Sequence, residues 1–168
     1  PIFEHCNKEV IAHGIPSDIF FPMEKNDVRI KHGLPTDKKI VLSVASDINR
    51  KLKGFKEIIA IAKKMPDIIF ILVGTKSKQI EEESNIIYTG QINDRSILNE
   101  WYNCADVTIS NSEEESFGLS IAESLKTGTP TIMRKTGLFR DIINEKNGLS
   151  ITTTLYEAIN VFYTNFHH

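Results

Sequence analysis

Ile40-Val-Leu-Ser-Val44, the helix-spaced set Phe55, Ile58, Ile59 and Ala62, and Asp67-Ile-Ile-Phe-Ile-Leu-Val-Gly74 form one unit whose reading decides the fold. The two outer stretches are continuous apolar runs, not every-other-residue patterns. Runs of that kind mark strands buried on both faces, as in a parallel sheet covered by helices. Downstream the alternation continues. Lys76 to Glu83 reads as a short polar helix and Ile86-Ile-Tyr88 as a strand. Ile97, Leu98, Trp101 and Tyr102 mark the inner face of a helix begun at Asn93 or Asp94. Then come strand 106–110, helix 117–126, strand Pro130–Met133, helix 138–144, strand Gly148–Ile151 and a terminal helix from 153. Upstream, a short apolar strand from Glu9 runs into a Gly/Pro loop ending at Pro22, Glu24 to Lys31 spans one or two helical turns, and Gly33 to Lys38 is a turn. The alternation predicts a doubly wound, Rossmann-like α/β domain with a parallel sheet over residues 37–168, led by a linker segment over residues 1–36.

Composition bounds the rest. A chain of 168 residues with 40% apolar residues is one domain's worth and can bury a proper core. A formal net charge of −2 gives no bulk affinity for nucleic acid or for an anionic membrane surface. Cys6 and Cys104 lie far apart and no Cys/His cluster has zinc-ligand spacing, which fits a reducing, cytoplasmic compartment. The longest apolar run, Ile68 to Val73, is far shorter than the roughly 20 residues of a membrane span, and no cationic leader with an apolar core opens the chain, so a soluble fragment is expected.

In a doubly wound sheet the ligand sits beyond the carboxyl ends of the strands. Here loops 45–54, 74–76, 89–93 and 110–118 meet at that edge. In the first, Arg50, Lys51 and Lys53 crowd a helix entrance that is already positive, an arrangement that costs stability unless an anion is present. A solvated charge run is the plainer alternative. Neither Gly-x-Gly-x-x-Gly nor Gly-x4-Gly-Lys-Ser/Thr occurs, which leaves a diphosphate clamped by Arg and Lys. In the last loop, Glu115-Ser-Phe-Gly-Leu-Ser-Ile-Ala-Glu123 runs from strand through turn into helix, so free N–H groups and a positive dipole end gather near Phe117, Gly118 and Leu119. Ser120-x-x-Glu123 also fits a capping box. A helix start at 117 or 118 gives a more usual length and leans Glu123 back toward Glu115. Two carboxylates beside a phosphate site are suited to accept hydrogen bonds from hydroxyls, as sugars and ribose offer them.

Glu115-x7-Glu123 with Phe-Gly-Leu inside, Gly128-Thr-Pro130, the Lys53-Gly54 turn, and Ala12-His-Gly-Ile-x4-Phe20-x-Pro22 together resemble the C-terminal half of glycosyltransferases with the GT-B fold. The closest likeness is to the retaining family 4 enzymes, also called group 1, and it runs from about Glu9 to Leu149. The resemblance implies a domain that binds a nucleoside diphosphate sugar, a UDP-sugar or GDP-sugar, for transfer of a hexosyl group with retained configuration. It implies that Glu115 contacts donor-sugar hydroxyls, that Glu123 holds the ribose, and that the backbone around Ser116, Phe117, Gly118 and Leu119 approaches the diphosphate and sugar. Lys53 matches the clamp lysine. Ile48 stands where the clamp arginine is usual, and Arg50 is the candidate replacement, so Glu115, Lys53 and Arg50 form the expected catalytic set. Gly74 and the Gly90-Gln91-Ile92 turn are implied to lie near the base.

The sequence also departs from the family pattern. Ser116 replaces a common Gly, Ser120 a frequent Pro, and Thr136-Gly137-Leu-Phe-Arg140 stands where a Gly-Gly-x-x-Glu turn is usual. No Asp-x-Asp occurs, so neither a metal nor another cofactor is expected. The implied partner is an N-terminal acceptor domain of the same enzyme, without which this half is inactive. That other half is where peripheral association with the inner face of a membrane would arise, and synthesis of a polysaccharide or glycoconjugate is the expected setting. A non-catalytic nucleotide-binding module, half of a related sugar-nucleotide epimerase, and a purely structural α/β protein are the alternatives.

Overall fold

The computed structural model describes residues 14–165 except 78, 79, 81, 116, 138, 140 and 141. Six strands, β1 (Lys39–Asp47), β2 (Ile68–Thr75), β3 (Ile86–Gly90), β4 (Val107–Ser110), β5 (Thr131–Arg134) and β6 (Gly148–Ile151), form one parallel sheet in the order β3-β2-β1-β4-β5-β6. Among the described residues five α-helices accompany them: α1 (Lys25–Lys31), α2 (Phe55–Ala62), α3 (Arg95–Cys104), α4 (Leu119–Lys126) and α5 (Leu155–Asn165). The register pairs Val41 with Phe70 on one side and with Val107 on the other, so β1 is central and its run has no room for a polar face. Successive side chains leave opposite faces. Val41, Phe70 and Leu72 therefore join Ile58, Ile159 and Phe162 beneath α2 and α5, while Ile40, Leu42 and Ile71 join Val28 and Tyr102 beneath α1 and α3. Alternation between those two cores is what continuous apolar strands require.

Helix boundaries follow local chemistry. Asp94 caps α3 by accepting from the Ser96 amide at 2.8 Å. Thr154 and Glu157 start α5 as a reciprocal capping box, with the Glu157 amide donating to Thr154 Oγ1 at 3.1 Å and the Thr154 amide to Glu157 Oε2 at 3.2 Å. The inner face of α3 differs from expectation. Tyr102 is fully buried, but Asn99 and Asn103 are buried beside it and Ile97 is exposed. The two amides face inward because the extended segment at 21–23 needs partners. Asn99 Oδ1 accepts from the Phe21 amide at 3.2 Å, Asn103 Oδ1 from the Met23 amide at 2.7 Å, and Asn103 Nδ2 donates to the Phe21 carbonyl at 3.1 Å.

Three other expectations fare differently. None of the described residues of 76–83 is helical. The helix expected over 138–144 falls partly outside the described residues; what is described is a turn in which the Ile142 and Ile143 amides both donate to the Phe139 carbonyl. The strand expected from Glu9 lies outside the described residues, whereas Phe20 and Leu34, farther along that leading segment, are buried in the same core as β1.

Candidate functional site

The chain winds outward from β1 in one direction and from β4 in the other, so the loops leaving these two neighbours diverge and open a crevice at the carboxyl edge of the sheet. A cross-linked floor fixes its width. Gly54 sits at φ +70°, and a Cβ there would lie 2.4 Å from the Asn111 carbonyl oxygen, so only glycine lets the two loops touch. Asn111 Nδ2 donates to the Gly54 carbonyl at 3.1 Å and to Glu57 Oε2 at 2.9 Å, and the Glu113 amide donates to the Leu52 carbonyl at 2.9 Å. Arg134 closes the floor from β5, reaching Glu57 at 2.7 Å and Asn111 at 2.8 Å.

On that floor Lys53 Nζ lies 2.9 Å from Glu115 Oε2, with the two side chains 26% and 17% exposed. The pair stands between two depressions. One, of about 540 Å³, is lined by Arg50, Glu113, Glu114, Thr136 and Gly137. The other, of about 400 Å³, is lined by Ala45, Ser46, Phe117, Gly118, Leu119 and Glu123. Lys53 and Glu115 line both. The structure thus brings Arg50, Lys53, Glu115, Phe117, Gly118, Leu119 and Glu123 to one crevice, while Ser116 and Arg140 lie outside the described residues. Ile48 is buried in the core with Val41 and Phe55, whereas Arg50, exposed like Lys51, is the one of the two that lines the first depression beside Lys53. Gly137, at φ +65°, packs so closely that a Cβ would lie 2.6 Å from the Glu115 carbonyl oxygen.

Helix α4 starts at Leu119 with Gly118 as its cap at φ +88° and no side-chain cap, one or two residues later than the start at 117 or 118 that the sequence implied. The capping box at Ser120 does not form, and Glu123 lies in the second turn. It is 7% exposed. Tyr102 Oη donates to its Oε2 at 3.0 Å and Arg95 Nη2 to its Oε1 at 3.2 Å. Burial raises the Glu123 pKa above the ordinary carboxylate value, opposed by the Tyr102 hydrogen bond and by Arg95. Burial, reinforced by Glu123, also pushes the Tyr102 phenol well above its usual value. Tyr102 reads in the sequence as a core residue, and nothing there marks Arg95, because the contact joins helices 28 residues apart.

Gly74, Gln91 and Ile92 lie along the same sheet edge but in neither depression. Gly74 is buried, and a Cβ would lie 2.3 Å from the Ala45 carbonyl oxygen, so its glycine serves the β1–β2 junction. Gln91 Oε1 accepts from Thr75 Oγ1 at 3.3 Å, and half-buried Ile92 packs on the α3-side core. Among the described residues no group of three or more His, Cys, Asp or Glu could hold a metal, and no helix is long and apolar enough to cross a membrane.

Comparison with known proteins agrees with this fold. The chain is 27% identical over 148 residues to a processive diacylglycerol alpha-glucosyltransferase of Acholeplasma laidlawii, a match covering 81% of this chain and 44% of that protein. It therefore spans less than half the length of that relative. The fold is shared with the C-terminal domain of LpcC, a glycosyl transferase group 1 family protein from Francisella tularensis, at a TM-score of 0.73 and 22% identity over 91% of this chain and 89% of that one. It is also shared with Anabaena HepE, solved in complex with UDP and glucose, at a TM-score of 0.76 and 18% identity over 94% of this chain and 48% of that one. Residues 24–161 match the family described as Glycosyl transferases group 1, and the chain, one Rossmann-like half of a GT-B architecture, belongs to that family.

Proposed function

We propose that the chain is the donor half of a hexosyltransferase, binding a UDP-sugar or GDP-sugar in the crevice between β1 and β4 for transfer with retained configuration. The observation that carries this reading is the Lys53–Glu115 pair standing opposite the start of α4, with Glu123 on the far side. Charge grows on the departing diphosphate during transfer, and fixed positive groups stabilise it most where water is excluded. Lys53, Arg50 and the free amides at the start of α4 supply them, without a metal.

Donor binding exchanges partners at Lys53. The ion pair is partly exposed and cheap to open. A diphosphate takes the ammonium, which frees Glu115 to accept hydrogen bonds from donor-sugar hydroxyls. Glu123 accepts from the ribose, and the base lies toward Gly74, Gln91 and Ile92. The backbone about Ser116, Phe117 and Gly118 approaches the sugar and diphosphate. Acceptor binding and the remaining catalytic groups belong to a second domain, in keeping with the greater length of the relative from Acholeplasma laidlawii. The setting is the cytoplasmic side of a membrane, in polysaccharide or glycoconjugate synthesis.

The reading is tested by titrating the chain with UDP-glucose and GDP-mannose by calorimetry. Binding of one of them, weakened about tenfold in Lys53→Ala, supports it, since a hydrogen bond to a charged group contributes roughly 1.5–3 kcal/mol. Equal affinity in wild type and Lys53→Ala contradicts it.

A further inference from the structure

The Glu123 carboxylate is nine-tenths buried and already has two donors, both from α3: Tyr102 Oη at 3.0 Å on Oε2 and Arg95 Nη2 at 3.2 Å on Oε1. Each donor occupies one oxygen. A carboxylate oxygen has two acceptor positions, so one remains on each. Two adjacent acceptors match the two hydroxyls of a vicinal diol. Glu123 lines the depression behind Gly118, so those acceptors belong to a surface a ligand can reach. Resting on the reading of Glu123 as the ribose-binding group, we infer that Arg95 and Tyr102 are positioning residues that hold this carboxylate by one acceptor on each oxygen, and that they thereby set a preference for ribonucleotide over 2′-deoxyribonucleotide donors.

Arg95 is well placed for this task. Its guanidinium lies 5.0 Å from the ring centroid of Phe20, a fully buried residue of the leading segment, so the cation is anchored on one side while it serves Glu123 on the other. An arginine over an aromatic face loses less freedom when it makes its hydrogen bond than a free one.

Charge state matters as much as direction, because a protonated carboxyl offers fewer acceptors and adds a donor. Burial favours the protonated form, and the two α3 donors oppose it. The other charged groups at this depression are Lys53 and Glu115, which are paired with each other at 2.9 Å; Val44, Ala45 and Ser46 of β1 contribute no titratable group. Removing either donor raises the Glu123 pKa further. Diol recognition is then lost as pH falls and regained as it rises.

The experiment titrates the chain with UDP, GDP and ADP, takes the one that binds tightest, and compares it with its 2′-deoxy counterpart from pH 6 to 8.5. Titration of the diphosphate cancels in that ratio. Wild type is expected to prefer the ribo form about tenfold, the value of one hydrogen bond to a charged acceptor. In Arg95→Gln and Tyr102→Phe the ratio falls toward one at pH 6 and recovers as pH rises, Arg95→Lys restores it in part, and Glu123→Gln loses it at every pH. Thermal melts of each variant separate loss of fold from loss of preference. Wild-type ratios and pH profiles in Arg95→Gln and Tyr102→Phe, with Glu123→Gln defective, overturn the positioning role and leave the ribose reading standing. A wild-type ratio in Glu123→Gln overturns the ribose reading itself.

Discussion

Glu115 and Glu123 stand on either side of Gly118, and the chain treats them in opposite ways. Glu115 lies in a loop and is held by the Lys53 ammonium at 2.9 Å in a partly open crevice. Glu123 lies in the second turn of α4, buried, between a phenol and a guanidinium fixed on a neighbouring helix. An exposed ion pair contributes roughly 0–1 kcal/mol and opens readily. A buried carboxylate held by two donors cannot lose one of them without a large cost. One glutamate is therefore built to change partners on binding and the other to stay where it is.

Glu123→Ala should break the contrast most severely. It leaves the Tyr102 hydroxyl buried without a partner, at about 1–3 kcal/mol, and it removes the ribose acceptor. Urea denaturation should show the lost stability, and nucleoside diphosphate affinity should fall at least about tenfold; unchanged affinity would place the ribose elsewhere. Lys53→Ala comes next, with nucleoside diphosphate affinity down about tenfold but stability changed by less than about 1 kcal/mol, since only a partly exposed pair is lost. A loss of stability larger than that would make Lys53 a structural residue.

Smaller and more selective, Glu115→Gln should leave UDP or GDP binding near wild type while weakening the corresponding nucleotide sugar. Equal losses for both ligands would erase the division between the two glutamates. The smallest effect is on stability against pH. Because the folded-state pKa of Glu123 is raised, the native state binds this proton more tightly than the unfolded chain, so its contribution is present at low pH and is lost as pH rises from the ordinary carboxylate value through the raised one. Glu123→Gln should flatten that part of the melting profile; an unchanged slope would mean the carboxyl titrates normally.

What the sequence disclosed was whatever was local. Continuous runs at 40–44 and 67–74 report burial on both faces directly, and the spacing from Glu115 to Glu123 lies within one strand–turn–helix unit, so both are readable without knowing the fold. Gly118 is likewise local, because it alone can sit at φ +88° as the cap of α4. The inward side of α3 was hidden because Asn99 and Asn103 look like surface residues until the backbone at 21–23, roughly 80 positions away, arrives to use their amides. Arg95 was hidden for the same reason, its partner lying on another helix. Gly74 shows the opposite case. It is needed at the β1–β2 junction, where a side chain would meet the Ala45 carbonyl, whatever the ligand.

The most direct test of the central claim is titration of the chain with UDP, GDP and ADP, following heat or amide shifts to millimolar concentration. A donor half-site that lacks the sugar and the acceptor domain should still register at least about 4 kcal/mol, a Kd of about 1 mM or tighter, for one of the three, with shifts concentrated at Lys53, Gly118 and Glu123. No binding by any of them at that concentration, or shifts confined to the opposite edge of the sheet, would contradict the account.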